Sequence, residues 1–187
     1  MVVQEEKCKD ISVDTYFDFL GYTFSNNIIS VRDSSVQKLL DGIIRILALN
    51  KYQNNEYIEK TIFRINSRIT GCIKNGKRYG WLFYFSQLSD IKLLYSIDHN
   101  IIKQVNRYGI DKNSIKSIVN VWFCILYKYK KLPYIPNYDN YSKEQKSHII
   151  SIYFPRKRID ESDIDYYFEK IINHEIKDLE RDMSNRS

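Results

Sequence analysis

Lys60, Arg64 and Arg68 recur at i, i+4 and i+8, a spacing that stacks long side chains into one ridge along an α-helix. Cations gathered on one ridge suit phosphates or another anion, which they hold by charge-assisted hydrogen bonds. Like charges at i+4 repel by a few tenths of a kcal/mol, so an anionic partner explains the ridge better than helix stability does. The bland reading is a solvated helix face, but Glu56 is the only acid four residues from any of the three. No acid occurs from residue 60 to residue 89, where Lys74, Lys77 and Arg78 add further cations. Tyr79, Trp81, Phe83 and Phe85 alternate directly after them, which puts the rings on one face of an extended segment. Core packing is the first reading of these rings, and base stacking on Tyr79 or Trp81 is the second. Gly71 falls on the side of the ridge, where a missing side chain admits a backbone or a sugar.

Other chemistry is poorly represented. Cys8, Cys72 and Cys124 are odd in number and lack CxxC spacing, which argues against a disulfide framework and a zinc site. His99, His148 and His174 form no HxxxH or HExxH pair. Asp10, Asp14 and Asp18 repeat at i+4, but in a segment read as strand or loop they do not converge, so they are solvated charges. No nucleophile is matched with a base. No catalytic residue and no metal ligand is assigned, and an independent enzyme is the least favoured class. The first residues, MVVQEEKCKD, lack an apolar signal region, and no run approaches the ~18 apolar residues of a membrane span. The expectation is a cytoplasmic chain without membrane contact.

The elements that would position the cations follow from periodicity. The 187 residues suffice for one well-filled core or for one domain with an appendage. Sixteen Tyr beside few Gly and Pro suggest AT-rich coding as much as function. Residues 15–32 predict a hairpin, with TYFDFLGYTF and IISVR as strands and Ser25-Asn26-Asn27 as the turn. A helix capped by Asp33 or Ser34 runs to about Lys51, with Val36, Leu39, Leu40, Ile43, Ile44 and Leu47 as its apolar stripe. The ridge helix spans about 55–73 and docks through Ile58, Ile62, Ile65, Ile69 and Ile73. Lys74-Asn75-Gly76-Lys77 reads as a tight turn, and RYGWLFYFSQLSD as extended or irregular. A helix opened by Asp90 buries Ile91, Leu94, Tyr95, Ile101, Ile102 and Val105. A further helix, about 112–131, is apolar nearly all round and belongs at the centre of the bundle, with Lys128, Lys130 and Lys131 at its end. PYIPNYDNY is a linker, then come a short helix near 143–150, a strand-like SIYF and an acidic amphipathic helix over about 161–182.

Charge follows the same division. Residues 1–44 carry a net −3, residues 45–131 +11, residues 132–158 +3 and residues 159–187 −5. A basic middle between acidic ends suits a surface turned toward a polyanion. The expected fold is mainly α, with an N-terminal β-hairpin, a bundle of three to four helices and a C-terminal α extension. Its divisions are 1–32, 33–131 and 132–187.

Phe17-Asp18-Phe19-Leu20-Gly21-Tyr22 followed by Phe24-Ser25 resembles the FLGY segment of retron-like and group II intron-like bacterial reverse transcriptases. Arg68-Ile69-Thr70-Gly71 with Lys77-Arg78-Tyr79-Gly80-Trp81-Leu82-Phe83-Tyr84-Phe85-Ser86 resembles the defence-associated, abortive-infection-type members. The likeness covers roughly residues 15–131. It implies a primer-grip hairpin followed by a helical thumb, with Phe19, Leu20, Gly21 and Tyr22 supporting the primer near its 3′ end. Beside that, the same four residues read plainly as inward strand residues, a glycine easing a bend and an aromatic edge. The resemblance also implies that a thumb helix tracks the minor groove of the template–primer duplex, where shape and 2′-hydroxyls are recognised. The chain departs from the family in having no Asp-Asp pair. Two-metal phosphoryl transfer needs such carboxylates, so Mg2+ is expected only in a fingers–palm partner and no cofactor in this chain.

Two functions follow as expectations. One is a primer-grip and thumb module of an RNA-directed DNA polymerase in antiviral defence, binding RNA or RNA–DNA duplex through the hairpin, Lys60, Arg64, Arg68, Gly71, Lys74, Lys77, Arg78, Tyr79 and Trp81. The other is a helical protein–protein interaction module whose basic middle meets an acidic partner or its own acidic C-terminal helix.

Overall fold

The structure is a computed structural model that describes residues 17–25, 27–50, 57–127 and 134–183. Cys8, Asp10, Asp14, Glu56, Lys128, Lys130 and Lys131 therefore lie outside the described residues. The chain opens with an antiparallel meander, β1 (Phe17–Phe19), β2 (Tyr22–Ser25) and β3 (Ile28–Val31). The expected single first strand is broken because Leu20 and Gly21 both take positive φ, +48° and +85°, the combination of a type I′ hairpin turn. Register pairs Phe19 with Tyr22 and Tyr22 with Val31, so Phe17, Phe19, Tyr22, Phe24, Ile29 and Val31 share one face.

Among the described residues seven α-helices follow: α1 (Asp33–Asn50), α2 (Ile58–Thr70), α3 (Trp81–Tyr84), α4 (Ile91–Arg107), α5 (Ile118–Leu126), α6 (Lys143–Tyr153) and α7 (Ile164–Met183). A small hairpin, β4 (Cys72–Lys74) and β5 (Lys77–Tyr79), joins α2 to α3. Its Asn75-Gly76 turn is where the sequence places it, and the Asp139 carboxylate pins it by accepting both turn N–H groups, at 2.6 and 2.8 Å.

Two apolar cores share α2. The first holds Val31, Leu39, Ile43, Leu47, Ile65 and Ile69 with residues of α3, α4 and α5; the second holds Cys72, Tyr138, Ile149, Tyr153, Phe168 and Ile172 among others. Ile65 and Ile69 point into the first core, while Phe63 packs against the second. α2 is thus the central helix, in place of the expected 112–131 segment. Its described residues, 112–127, hold a 3-10 turn and the nine-residue α5, whose end exposes Leu126 and Tyr127.

Three further expectations change. The aromatic block is helical at α3, so its rings do not share the alternating face of a strand. SIY continues α6 instead of forming a strand. On α4, Leu94, Ile97, Ile101 and Val105 are buried, whereas Tyr95 is 60% and Ile91 37% exposed. Caps set the helix starts: Asp90 accepts from Leu93 N, and Ser142 forms a reciprocal capping box with Gln145.

Candidate nucleic-acid interface

The ridge of α2 is not an open surface. Arg64 Nη2 donates to Asp178 Oδ2 at 2.9 Å, and its Nε lies 3.3 Å from Glu175 Oε1. Arg68 is 5% exposed, with Nη2 4.0 Å from the same Asp178 oxygen. Lys60 Nζ rests 4.8 Å from the centroid of the Tyr153 ring, and the Tyr153 hydroxyl donates to Glu175 at 2.7 Å. Lys74, at the end of β4, is buried, pairs with Glu169 and faces the Phe168 ring. Burial depresses the basicity of Lys60 and Arg68, and neighbouring Arg64 adds to it. Glu169, Glu175 and Asp178 all belong to α7, so the anionic partner that the ridge demands is supplied from within the chain.

α7 cannot be lifted off cheaply. It buries Phe168, Ile171, Ile172, Ile176 and Leu179, each worth about 2 kcal/mol of apolar burial. A phosphate chain would have to displace that helix to reach Arg68. Arg64, Arg68 and Lys74 are therefore engaged by α7 and closed to a nucleic acid, whereas Lys60 is half-exposed and rests on the Tyr153 ring of α6. A readable signal was missed in the sequence. Glu175 and Asp178 fall on the apolar side of α7 beside Ile171, Ile172 and Leu179, and buried carboxylates require a cation partner.

Gly71 and Gly80 also serve the fold. A Cβ on Gly71 would stand 2.1 Å from the Tyr79 carbonyl oxygen, and one on Gly80 would stand 2.6 Å from the Gly71 Cα. The close approach expected at Gly71 is made by the chain's own β5, not by a sugar. Trp81 is 3% exposed, with its Nε1 donating to Ser35 O at 3.2 Å, so it cannot stack on a base. Tyr79 packs its half-buried ring on the second core. Lys77 and Arg78 remain exposed, Arg78 lying over the Phe83 ring. Lys157, in the cluster Arg156-Lys157-Arg158, sits 4.1 Å from the Tyr167 ring centroid of α7.

The FLGY hairpin presents a different picture. Phe19 and Leu20 are 60% and 64% exposed at its tip. Behind them the Tyr22 ring meets Phe85 edge-on at 5.2 Å, and its hydroxyl donates to Tyr84 O at 3.0 Å. A Cβ on Gly21 would come within 3.2 Å of the Phe85 ring. The tip is thus anchored to the first core while its two apolar side chains stand in solvent.

No family model matches this chain, and no curated protein or solved structure is significantly similar to it. The remaining candidates are weak. A cleft of ≈ 520 Å³ between α2 and α6 has much of its polar wall committed. Asn66 bonds Ser114 and Lys116, while Ser67 and Thr70 donate to backbone carbonyls one turn earlier. His174, Glu175 and Asp178 bring ligand atoms within 4.8 Å of one another, but Arg64 occupies both carboxylates and opposes a cation there. No helix among the described residues is long and apolar enough to cross a membrane.

Proposed function

We propose that this chain is the primer-grip and thumb portion of an RNA-directed DNA polymerase, a reverse transcriptase of the antiphage-defence type acting in the cytoplasm. It would hold RNA or RNA–DNA duplex for an active site borne by a fingers–palm polypeptide, which would also carry the Mg2+ ions. The observation behind this reading is Leu20. A bulky residue at φ +48°, 64% exposed, is costly twice over, and strained exposed residues concentrate at ligand-contacting sites. It stands in the FLGY segment that carries the family resemblance, next to exposed Phe19. The contact expected there is apolar and sequence-blind, against sugar and base edges, and it does not use the α2 ridge.

Anisotropy of a labelled RNA–DNA hybrid tests the reading. Phe19→Ser/Leu20→Ser should weaken binding about tenfold, equivalent to about 1.4 kcal/mol, without lowering the melting temperature. Absence of hybrid binding by the unaltered chain would overturn it. The second reading, a protein–protein interaction module, is favoured by one observation: Arg64 and Lys74 of the basic middle are already paired with the acidic α7. It predicts salt-insensitive association through the same exposed tip, without any affinity for duplex.

A further inference from the structure

α4 is the long helix that offers cations to solvent without acids. Lys92, Tyr95, His99, Lys103 and Arg107 fall within one 120° stripe of its surface at 100° per residue, and all are exposed. The other helices of eleven residues or more do not share this pattern. α1 exposes Asp33 and Asp41 beside Lys38 and Arg45, α6 exposes Glu144 beside Lys143, and α7 mixes Asp165, Glu180, Lys170 and Arg181. α2 exposes Glu59 and turns its cations inward.

The one carboxylate within α4 is taken out of the stripe. Asp98 faces α5 and caps it, accepting from Ser117 Oγ at 2.5 Å and from Ile118 N at 2.7 Å. Asp90, at the N-cap, is likewise occupied by Leu93 N and by Ser30 Oγ of β3. Among the described residues, no carboxylate lies within ion-pair distance of Lys92, Lys103 or Arg107. A solvated helix gains from mixed signs, and this one forgoes that gain over about 22 Å of its length, roughly two-thirds of a duplex turn. Its N-terminus is tied to the hairpin sheet, where Ser89 N donates to Ile29 O at 2.8 Å and Ile29 N to Ser89 Oγ at 2.9 Å. The stripe therefore starts beside the same sheet that carries the exposed tip.

We infer that the solvent face of α4, through Lys92, Lys103 and Arg107 with Tyr95 between them, takes the phosphate backbone of a nucleic-acid duplex. This rests on the nucleic-acid reading above and names the surface that supplies its charge. Contacts of this kind position the duplex without reading bases, and each one contributes about one unit to the salt dependence of binding. An anionic membrane would call for several apolar anchors on the same stripe, whereas the stripe offers Tyr95 alone, and Leu94, Ile97, Ile101 and Val105 are spent on the first core.

The test is binding of a short RNA–DNA hybrid, measured across a salt series, by the full chain, by Lys92→Gln/Lys103→Gln/Arg107→Gln, and by a charge-matched control, Lys38→Gln/Lys143→Gln/Lys170→Gln. The α4 variant should lose about tenfold or more in affinity, and its log–log salt slope should fall by about two to three units, while the control keeps the parental slope. If the parent binds and the α4 variant binds equally, or the control loses as much, the α4 assignment is overturned and the hairpin reading stands. If the parent binds no duplex, both fail. If it binds phosphatidylserine vesicles instead, and the α4 variant does not, the stripe is a lipid surface and the assignment to nucleic acid is overturned. Unchanged melting temperatures of the variants exclude unfolding as the cause.

Discussion

Arg64 bridges Glu175 and Asp178, with its own side chain 18% exposed and theirs 6% and 8%, and Arg181 Nη2 lies 3.3 Å from the other Asp178 oxygen. Buried carboxylates without a cation are far costlier than a missing surface charge. Arg64→Ala should therefore destabilise the chain by about 3 kcal/mol in urea unfolding. Adding Asp178→Asn to it should cost less than the sum of the two single changes, because both remove one interaction. A loss within about 0.5 kcal/mol of the parent, the usual range for surface substitutions, would contradict the buried ion pairing between α2 and α7. Cys72 gives a pH signature. Burial, with Asp139 and Glu175 nearby, pushes its thiol up to about 12 from the ordinary 9.0. Burial also raises the Tyr138 and Tyr153 hydroxyls, and Glu175 adds to the rise at Tyr153. Groups with raised folded-state values lend stability that is whole below their unfolded values and is lost as pH climbs. The melting temperature should accordingly be flat from about pH 7 to about pH 9 and fall between about pH 9 and 12. Native Cys72 should resist iodoacetamide at pH 8 and react once the chain is unfolded. Alkylation of Cys72 in the native chain, seen by peptide mass, would contradict its burial.

Among the elements, the two hairpins show what a sequence reveals and what it hides. Asn75-Gly76 was readable because left-handed backbone favours those residues. The Leu20-Gly21 turn was hidden, since Leu is an unusual choice at positive φ and the aromatic residues around it look like one continuous strand. α1 was legible from its apolar stripe, and Leu39, Ile43 and Leu47 are buried as that stripe requires. The aromatic block misled because alternation over Tyr79, Trp81, Phe83 and Phe85 fits a strand, while Gly80 at φ +134° and its contact with Gly71 turn the chain into α3. Gly71→Ala and Gly80→Ala should each cost at least about 2 kcal/mol, as a Cβ meets backbone in both. Gly76, at φ +68° with nothing within 4 Å, should cost about 1 kcal/mol on the same change. Equal melting temperatures for all three variants would show that the β4–β5 crossing is looser than described.

At the scale of the whole molecule, a basic middle between acidic ends was legible in the sequence, and the acidic C-terminal helix was one of the two partners expected for it, but the sequence did not choose between them. Periodicity gives each helix its faces separately, and only the fold reveals that the acidic side of α7 lies on the basic side of α2. The buried seam then lets one helix serve two cores, with Ile65 and Ile69 on one side and Arg64 and Arg68 on the other. The surfaces proposed for an external polyanion are the hairpin tip and the solvent face of α4, and the residue preceding that helix's cap, Ser89, is bonded to β3 of the same sheet. The most direct measurement is amide hydrogen exchange of the full chain with and without a short RNA–DNA hybrid. Exchange should slow at residues 17–22 and 91–107, with α2 and α7 unaltered. Protection of α2 together with faster exchange in α7 would mean that the acidic helix releases the ridge to the duplex, and would contradict that expectation.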